Sequence, residues 1–407
     1  MAGIVIVGAG ECGTRAAFAA RDAGYDGAIL LIAGEAGLPY DRTKLTKPIV
    51  PGEAPFGGLS ALRKPICHAN QLDAAGITLL AGTPVGKVNS DARQVTLTDG
   101  RVFGYDRLLL AVGATARRLA CRGGDRALGF RTIDHAQTVF AKARGKVVIA
   151  GAGLIGLELA AVLSGQGAEV TLVEAEALPL SRTVPAGLAE RLMARHQAEG
   201  VRLLCGSEIE KVTPGFVTLS NGKRLPAPSL IAAIGVVPNT TLGAMAGAMI
   251  DNGICVDAQM RTSVPGIYAA GDCANVTLPN GQRVRSETWR CAMAQGIVAG
   301  QVMAGQTASY DDPNWLWSDQ YDLTVQVVGQ VADRPDALRQ LPEAELQFSI
   351  DSDGALIGVA GIGRAAAMTK DIILAQRLIR AGAKVTARAL SDPAIDLKSL
   401  LRTQGDV

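Results

Sequence analysis

The sequence predicts an α/β chain made of two doubly wound strand–turn–helix–strand units and a separate α+β domain at its C-terminal end. Three observations carry that expectation. The turn pattern G-x-G-x-x-G occurs twice, at Gly8-Ala-Gly10-Glu-Cys-Gly13 and Gly151-Ala-Gly153-Leu-Ile-Gly156, each time between a run of β-formers and a helix-forming segment. Each helical segment leads into a second β-rich run, Ala28–Ile32 in one case and Glu169–Val173 in the other. From Trp315 onward the pattern changes to alternating strands with a final helix pair.

The second unit shows the chemistry most clearly. Val147-Val148-Ile149-Ala150 enters the turn, Leu157 to Ser164 forms a helix closed by Gly165 and Gly167, and the next strand ends on Glu174. In such a turn the first glycine permits the tight bend. The second lets backbone N–H groups approach a pyrophosphate, and the third lets helix and strand pack closely. The phosphates then face a helix N-terminus, where orphan N–H groups and the helix dipole favour negative charge. Glu174 follows Gly156 by 174 − 156 = 18 residues, where an acid accepts hydrogen bonds from an adenosine ribose and repels a 2′-phosphate. NAD is therefore expected over NADP. Candidate binding residues of this unit are Gly151, Gly153, Ile155, Gly156, Glu174, Arg182 and Gly235.

The first unit repeats the plan from Gly3, with Gly8, Gly10, Cys12 and Gly13 in its turn and Gly34 and Glu35 after its second strand. Two Rossmann-like dinucleotide-binding units suggest two dinucleotides, and the common pairing is FAD with NAD(P)H. A flavoprotein oxidoreductase is the expectation.

Composition narrows the class. With 407 residues there is room for two or three domains. Forty Lys+Arg against 38 Asp+Glu leave a net charge of +2, without the basic excess of a nucleic-acid binder. The uncharged run Leu225 to Ile250 is broken by Pro226, Pro228 and Pro238, so it reads as strand, turn and helix and not as a membrane span. The first strand starts at once, so no leader is expected and the location is expected to be cytoplasmic. The seven cysteines contain no CxxC and no metal-like cluster, so no metal site and no redox-active thiol pair is expected.

The segment Pro39-Tyr40-Asp-Arg42-Thr43-Lys44-Leu45-Thr-Lys47 resembles the Pro-Tyr-x-Arg-Pro-Pro-Leu-Ser-Lys segment of the FAD-dependent ferredoxin reductases that serve bacterial oxygenases and cytochromes P450. Thr43 and Lys44 replace the two prolines. By itself Lys47 reads as a surface lysine; the resemblance puts it beside the flavin ring. Further matches follow in family order. They are Leu110-Ala-Val112-Gly113-Ala, Phe130-Arg131-Thr-Ile-Asp134, Gly156-Leu-Glu158, Gly235-Val-Val-Pro238-Asn239, Thr262 to Gly271-Asp272, Arg285-Ser-Glu287-Thr-Trp289, and Trp315-Leu-Trp317-Ser-Asp-Gln320-Tyr321. By itself Glu158 reads as a helix-cap acid, and Trp317 as packing at a domain join. The resemblance implies that Lys47 and Glu158 flank the hydride-accepting edge of the flavin, with Trp317 against the ring. It implies FAD contacts by Arg42, Arg131, Asp272 and Trp289, and we add Val85 to the candidates. It also makes the FAD domain discontinuous, 1–112 with 244–310, with the NAD domain 113–243 inserted and the C-terminal domain at 311–407.

The function so implied is NADH-dependent reduction of a 2Fe–2S ferredoxin, catalysed through Lys47, Glu158 and Trp317. The three histidines, His68, His135 and His196, are scattered in the sequence, and no general acid is required. A rubredoxin reductase, an NADH oxidase or a redox-sensing flavoprotein could use the same two nucleotide units.

Overall fold

The structure is a computed structural model that describes residues 3–47, 63–181 and 183–402. These gather into two compact units. One holds the described residues up to Leu45, from Arg63 to Thr115 and from Val236 to Asp312; the other holds Thr46 and Lys47, Ala116 to Gly235, and Pro313 onward.

The first unit is built on a five-stranded parallel sheet. Its order in space is Ile267–Ala269, Arg107–Leu110, Ile4–Val7, Ile29–Ile32, Ile77–Leu80. The central strands Ile4–Val7 and Ile29–Ile32 read as unbroken apolar runs, as expected where helices cover a parallel sheet on both faces. Ile4, Ile6, Leu31 and Leu108 to Leu110 are all buried. The helix Glu11–Asp22 packs on the helix Trp289–Met303. A Cβ at Gly296 would meet the Cys12 carbonyl oxygen at 2.3 Å, so these helices approach backbone to backbone.

The sequence suggests a hairpin at Asp99-Gly100 that joins Gln94–Thr98 to a strand Arg107–Val112, and the structure differs. Asp99-Gly100 does turn a hairpin, with Gly100 at φ +90°, but the strand returning is the short Val102–Gly104 and not Arg107–Leu110. Arg107–Leu110 runs parallel to Ile4–Val7 in the main sheet. A tight turn delivers an antiparallel partner at once, and Val102-Phe-Gly is too short to stand out as a β-rich run.

The second unit repeats the parallel plan, in the order Arg202–Leu204, Glu169–Val173, Lys146–Ala150, Ser229–Ala232, Leu128–Gly129. It also contains a five-stranded antiparallel sheet, ordered Trp315–Gln320, Leu323–Gly329, Leu356–Gly363, Ala344–Ile350, Ala337–Leu341. Helix Ala365–Arg380 buries Met368, Ile372, Ala375 and Leu378 against that sheet, an i, i+4, i+7, i+10 stripe. The expected final helix pair is in fact this long helix and two short ones, Ala387–Ser391 and Leu397–Arg402.

The run Leu225 to Ile250 resolves into strands Arg224–Pro226, Ser229–Ala232 and Val236–Pro238 and helix Thr241–Met245. Among the described residues no helix is long and apolar enough to cross a membrane.

Candidate active site

The two glycine turns have the same geometry. Gly8 and Gly151 have φ of +107° and +93°, a region that L side chains avoid. A Cβ at Gly13 or Gly156 would meet the carbonyl oxygen of Gly8 or Gly151 at 1.8 and 2.0 Å, so only glycine allows helix and strand to close. A Cβ at Gly10 or Gly153 would meet nothing within 4 Å. Each turn thus offers open space over backbone N–H groups at the start of a 12-residue helix, Glu11–Asp22 or Leu154–Gly165, and this fits a pyrophosphate.

Each turn also has an acid at its second strand. Glu174 Oε2 accepts from Ala152 N at 2.7 Å, and Oε1 accepts from Glu176 N at 3.0 Å. Glu35 is engaged differently: it pairs with Arg42 and accepts from the Tyr40 hydroxyl at 2.6 Å, while Arg42 also lies over the Tyr40 ring at 5.2 Å. In the first turn of its helix Glu11 is a further acid, and burial raises its carboxyl above the ordinary 4.5. Arg15, 2.7 Å away, counters that rise and leaves the acid paired next to the glycine turn.

The second unit assembles the pair singled out in the sequence. Glu158, on helix Leu154–Gly165, is only 5% exposed, and both its carboxylate oxygens lie 3.0 Å from Lys47 Nζ. Ser318 Oγ donates to Oε1 at 2.7 Å, and Thr46 Oγ1 donates to Oε2. A buried carboxylate is costly unless it is paired and hydrogen-bonded, and four bonds to two oxygens meet that condition. Lys47 is therefore fixed on Glu158 and does not behave as an exposed surface lysine. Glu158 is no helix cap, since Gly153 occupies the N-cap position.

Sequence reasoning missed Thr46, Ser318, Gln320, His196 and Tyr321. Ser318 and Gln320 are polar residues two apart in a strand whose neighbours are largely buried, which marks one shared face. His196 closes the buried stripe of Leu188, Leu192 and Met193 on helix Ala186–Ala198. Though far from other histidines in the sequence, it is packed against Tyr321 with ring centroids 5.0 Å apart.

The remaining candidates are placed as follows. In the first unit Asp272 is buried just past strand Ile267–Ala269, where Gly271 N donates to Gln295 Oε1 at 2.8 Å. Trp289 opens helix Trp289–Met303, whose cap Thr288 accepts from Cys291 N at 3.3 Å. Gly34 is exposed, and Val85 begins the strand Val85–Asn89. In the second unit Arg131 is half-buried just before helix Ile133–Lys142. Ile155 is 44% exposed in the first helical turn, and Gly235 has φ +91°. Strand alternation puts Trp317 on the face opposite Ser318 and Gln320, the face of Trp315. Arg182 lies outside the described residues.

All seven cysteines are free thiols, with Cys12, Cys67, Cys255, Cys273 and Cys291 buried. Burial pushes the Cys12 thiol well above its usual value and Cys273 to about 11. Neither is primed to form the thiolate that disulfide chemistry needs.

Comparison with known proteins gives a family to this geometry. The pyridine nucleotide-disulphide oxidoreductase family matches residues 2–296. The chain belongs to that family. A second domain family, reductase C-terminal, matches residues 315–401. Among relatives from this family, the 5,5′-dehydrodivanillate O-demethylase ferredoxin reductase subunit of Sphingobium sp. (strain NBRC 103272 / SYK-6) is 35% identical, with 98% of each chain covered. The ferredoxin–NAD(+) reductase component of the p-cumate 2,3-dioxygenase system of Pseudomonas putida is 33% identical, with 97% of each covered. The crystal structure of the ferredoxin reductase for the CYP199A2 system from Rhodopseudomonas palustris superposes with a TM-score of 0.89 at 30% identity, covering 98% of this chain and 99% of that one.

Proposed function

We propose that the chain is an FAD-dependent NADH:ferredoxin reductase of the cytoplasm that feeds a 2Fe–2S ferredoxin serving an oxygenase or a cytochrome P450. What carries this reading is the pair of matching glycine turns, each with its middle glycine open, in a chain whose thiols are unpaired. When bound, FAD would accept hydride and release single electrons, a conversion that belongs to the cofactor. The nucleotide domains are assigned to 1–112 with 244–310 for FAD and 113–243 for NAD, leaving 311–407 as the reductase C-terminal domain.

The residues of the chain bind, orient and shield. The amides around Gly10 and Gly153 hold pyrophosphates at the two helix N-termini. Glu174 receives the adenosine ribose. By the resemblance, Arg42, Arg131, Asp272 and Trp289 would hold FAD, and Trp317 would contact its ring. Lys47, fixed by Glu158, would flank the hydride-accepting edge of the flavin, orienting the nucleotide and favouring negative charge on the acceptor.

NADH-driven reduction of a 2Fe–2S ferredoxin, repeated across ionic strength, tests this reading. Ferredoxins are usually acidic, so turnover should fall as salt rises, and Arg290, next to Trp289, is the candidate docking cation. Reduction of a disulfide substrate faster than every ferredoxin tried would refute it.

A further inference from the structure

Behind the Lys47–Glu158 pair runs a buried chain of hydrogen bonds whose donors all face one way. Ser318 Oγ donates to Glu158 Oε1 at 2.7 Å, Gln320 Nε2 donates to Ser318 Oγ at 2.9 Å, and Gln320 Oε1 lies 2.7 Å from His196 Nε2. Because the amide oxygen faces the ring, Nε2 carries the hydrogen, and Nδ1 is left to accept from the Tyr321 hydroxyl at 3.2 Å. His196 and Ser318 have no exposed surface, and Gln320 is 1% exposed. Burial lowers the His196 pKa and outweighs the Gln320 hydrogen bond, which raises it, while Arg195 adds to the lowering; this favours the neutral ring that the pattern requires.

The backbone supplies an independent sign. Tyr321 has φ +56°, a region that bulky residues avoid, in the two-residue connection between strands Trp315–Gln320 and Leu323–Gly329. Strain of this kind persists only where the surroundings over-determine it. Here it accompanies a hydroxyl held against both His196 and Ser164, the latter also at 3.2 Å. Apolar side chains would fill the same space with no polar group to satisfy.

We propose that Ser318, Gln320 and His196 are positioning residues that fix the carboxylate of Glu158, and through it Lys47, from the side of the C-terminal sheet. The proposal rests on the role given above to the Lys47–Glu158 pair. Ser318 is one of two donors to Oε1, and Gln320 holds the Ser318 hydroxyl in line by occupying its acceptor side. Without them the carboxylate can swing toward Thr46, and the ammonium loses its bidentate seat.

The test uses Ser318→Ala, Gln320→Met and the conservative Ser318→Thr in the FAD-loaded protein. Acetylation of Lys47, read by peptide mass spectrometry, reports its seating without any turnover. It should accelerate severalfold in Ser318→Ala and Gln320→Met and return in Ser318→Thr. The limiting rate of flavin reduction by NADH should fall about tenfold in Ser318→Ala, the worth of one hydrogen bond to a charged group, and by a smaller factor in Gln320→Met, which removes only the bond to the Ser318 hydroxyl, with NADH affinity unchanged. Unchanged acetylation and unchanged reduction in both variants, alongside slowed reduction in Lys47→Met, would overturn the relay and leave the reductase reading intact. Reduction at the original rate in Lys47→Met would instead remove the role of the pair, and acetylation would still decide whether the relay seats Lys47.

Discussion

Glu174 Oε2 accepts the amide hydrogen of Ala152 at 2.7 Å, so the acid at the tip of strand Glu169–Val173 is aimed back into the glycine turn. With its other oxygen held by Glu176 N, the carboxylate has little freedom to swing away from an incoming 2′-phosphate. Like-charge contact of that kind costs several kcal/mol, and about 1.4 kcal/mol is a factor of ten. The kcat/KM for NADH should therefore exceed that for NADPH by about a hundredfold or more. Glu174→Gln should shrink the ratio by raising the NADPH value. Equal values in the unaltered protein would show that Glu174 does not select the nucleotide.

Lys47→Met and Glu158→Gln should both slow flavin reduction while FAD stays bound, but their effects on stability should differ. Removing Lys47 leaves a carboxylate that is 5% exposed without its cation, and orphaning a buried charge costs about 3–5 kcal/mol. Removing the charge of Glu158 leaves a lysine side chain that is 20% exposed and can turn to water. Calorimetry should give a clearly lower Tm for Lys47→Met, and equal Tm values would mean the pair is not buried in solution.

The folded protein should lose stability on mild acidification. Because the His196 pKa is lowered in the folded state, the unfolded chain takes up a proton near the ordinary 6.5 that the folded chain refuses. Stability is thus complete above that value and is lost as pH falls toward the lowered one, at up to about 1.4 kcal/mol per pH unit. Thermal unfolding between pH 7.5 and 5 should show the decline, and His196→Gln should flatten it. An identical pH profile in that variant would assign the loss to other groups.

Alkylation at neutral pH should leave ferredoxin reduction intact. Burial raises the Cys12, Cys67 and Cys273 thiols and, to a lesser extent of burial, Cys121 and Cys205, the two that are only half-buried. Labelling should be confined to Cys121 and Cys205. Cys205 also feels the charge of Glu174, so any loss should appear in KM for NADH and vanish in Cys205→Ser. Loss of activity that tracks modification of Cys12 or Cys273 would place a thiol in the electron path.

The parts of this architecture that were legible in the sequence are those fixed locally. A glycine that must adopt positive φ, a third glycine under a carbonyl, and an apolar run buried on both faces each leave a mark within a few residues, as around Gly8, Gly13 and Ile4–Val7. The polar chain was not legible because its members are far apart in the sequence: Ser318 lies 160 residues from Glu158, and Gln320 lies 124 from His196. Only the alternation of Ser318 with Gln320, and a histidine on an apolar helix stripe, hinted at it. The hairpin turn at Asp99-Gly100 was legible but its return strand was not, because three residues, Val102–Gly104, carry too little β-forming sequence to compete with the Leu-rich run after them.

The first parallel sheet receives its fifth strand late. Tyr268 pairs beside Leu109, and between the ends of their strands the ribosome must add 269 − 110 = 159 residues. At about 5–20 residues per second this takes on the order of ten seconds. During that interval the nascent chain carries Leu108-Leu109-Leu110 as a bare edge, the kind of strand on which other chains pair. All strands of the second parallel sheet, from Leu128 to Ala232, are meanwhile synthesised. Nascent chains stalled before residue 267 should be cut by protease around Arg107, and chains stalled well past Asp272 should resist, because the first parallel sheet closes only after every strand of the second has been translated.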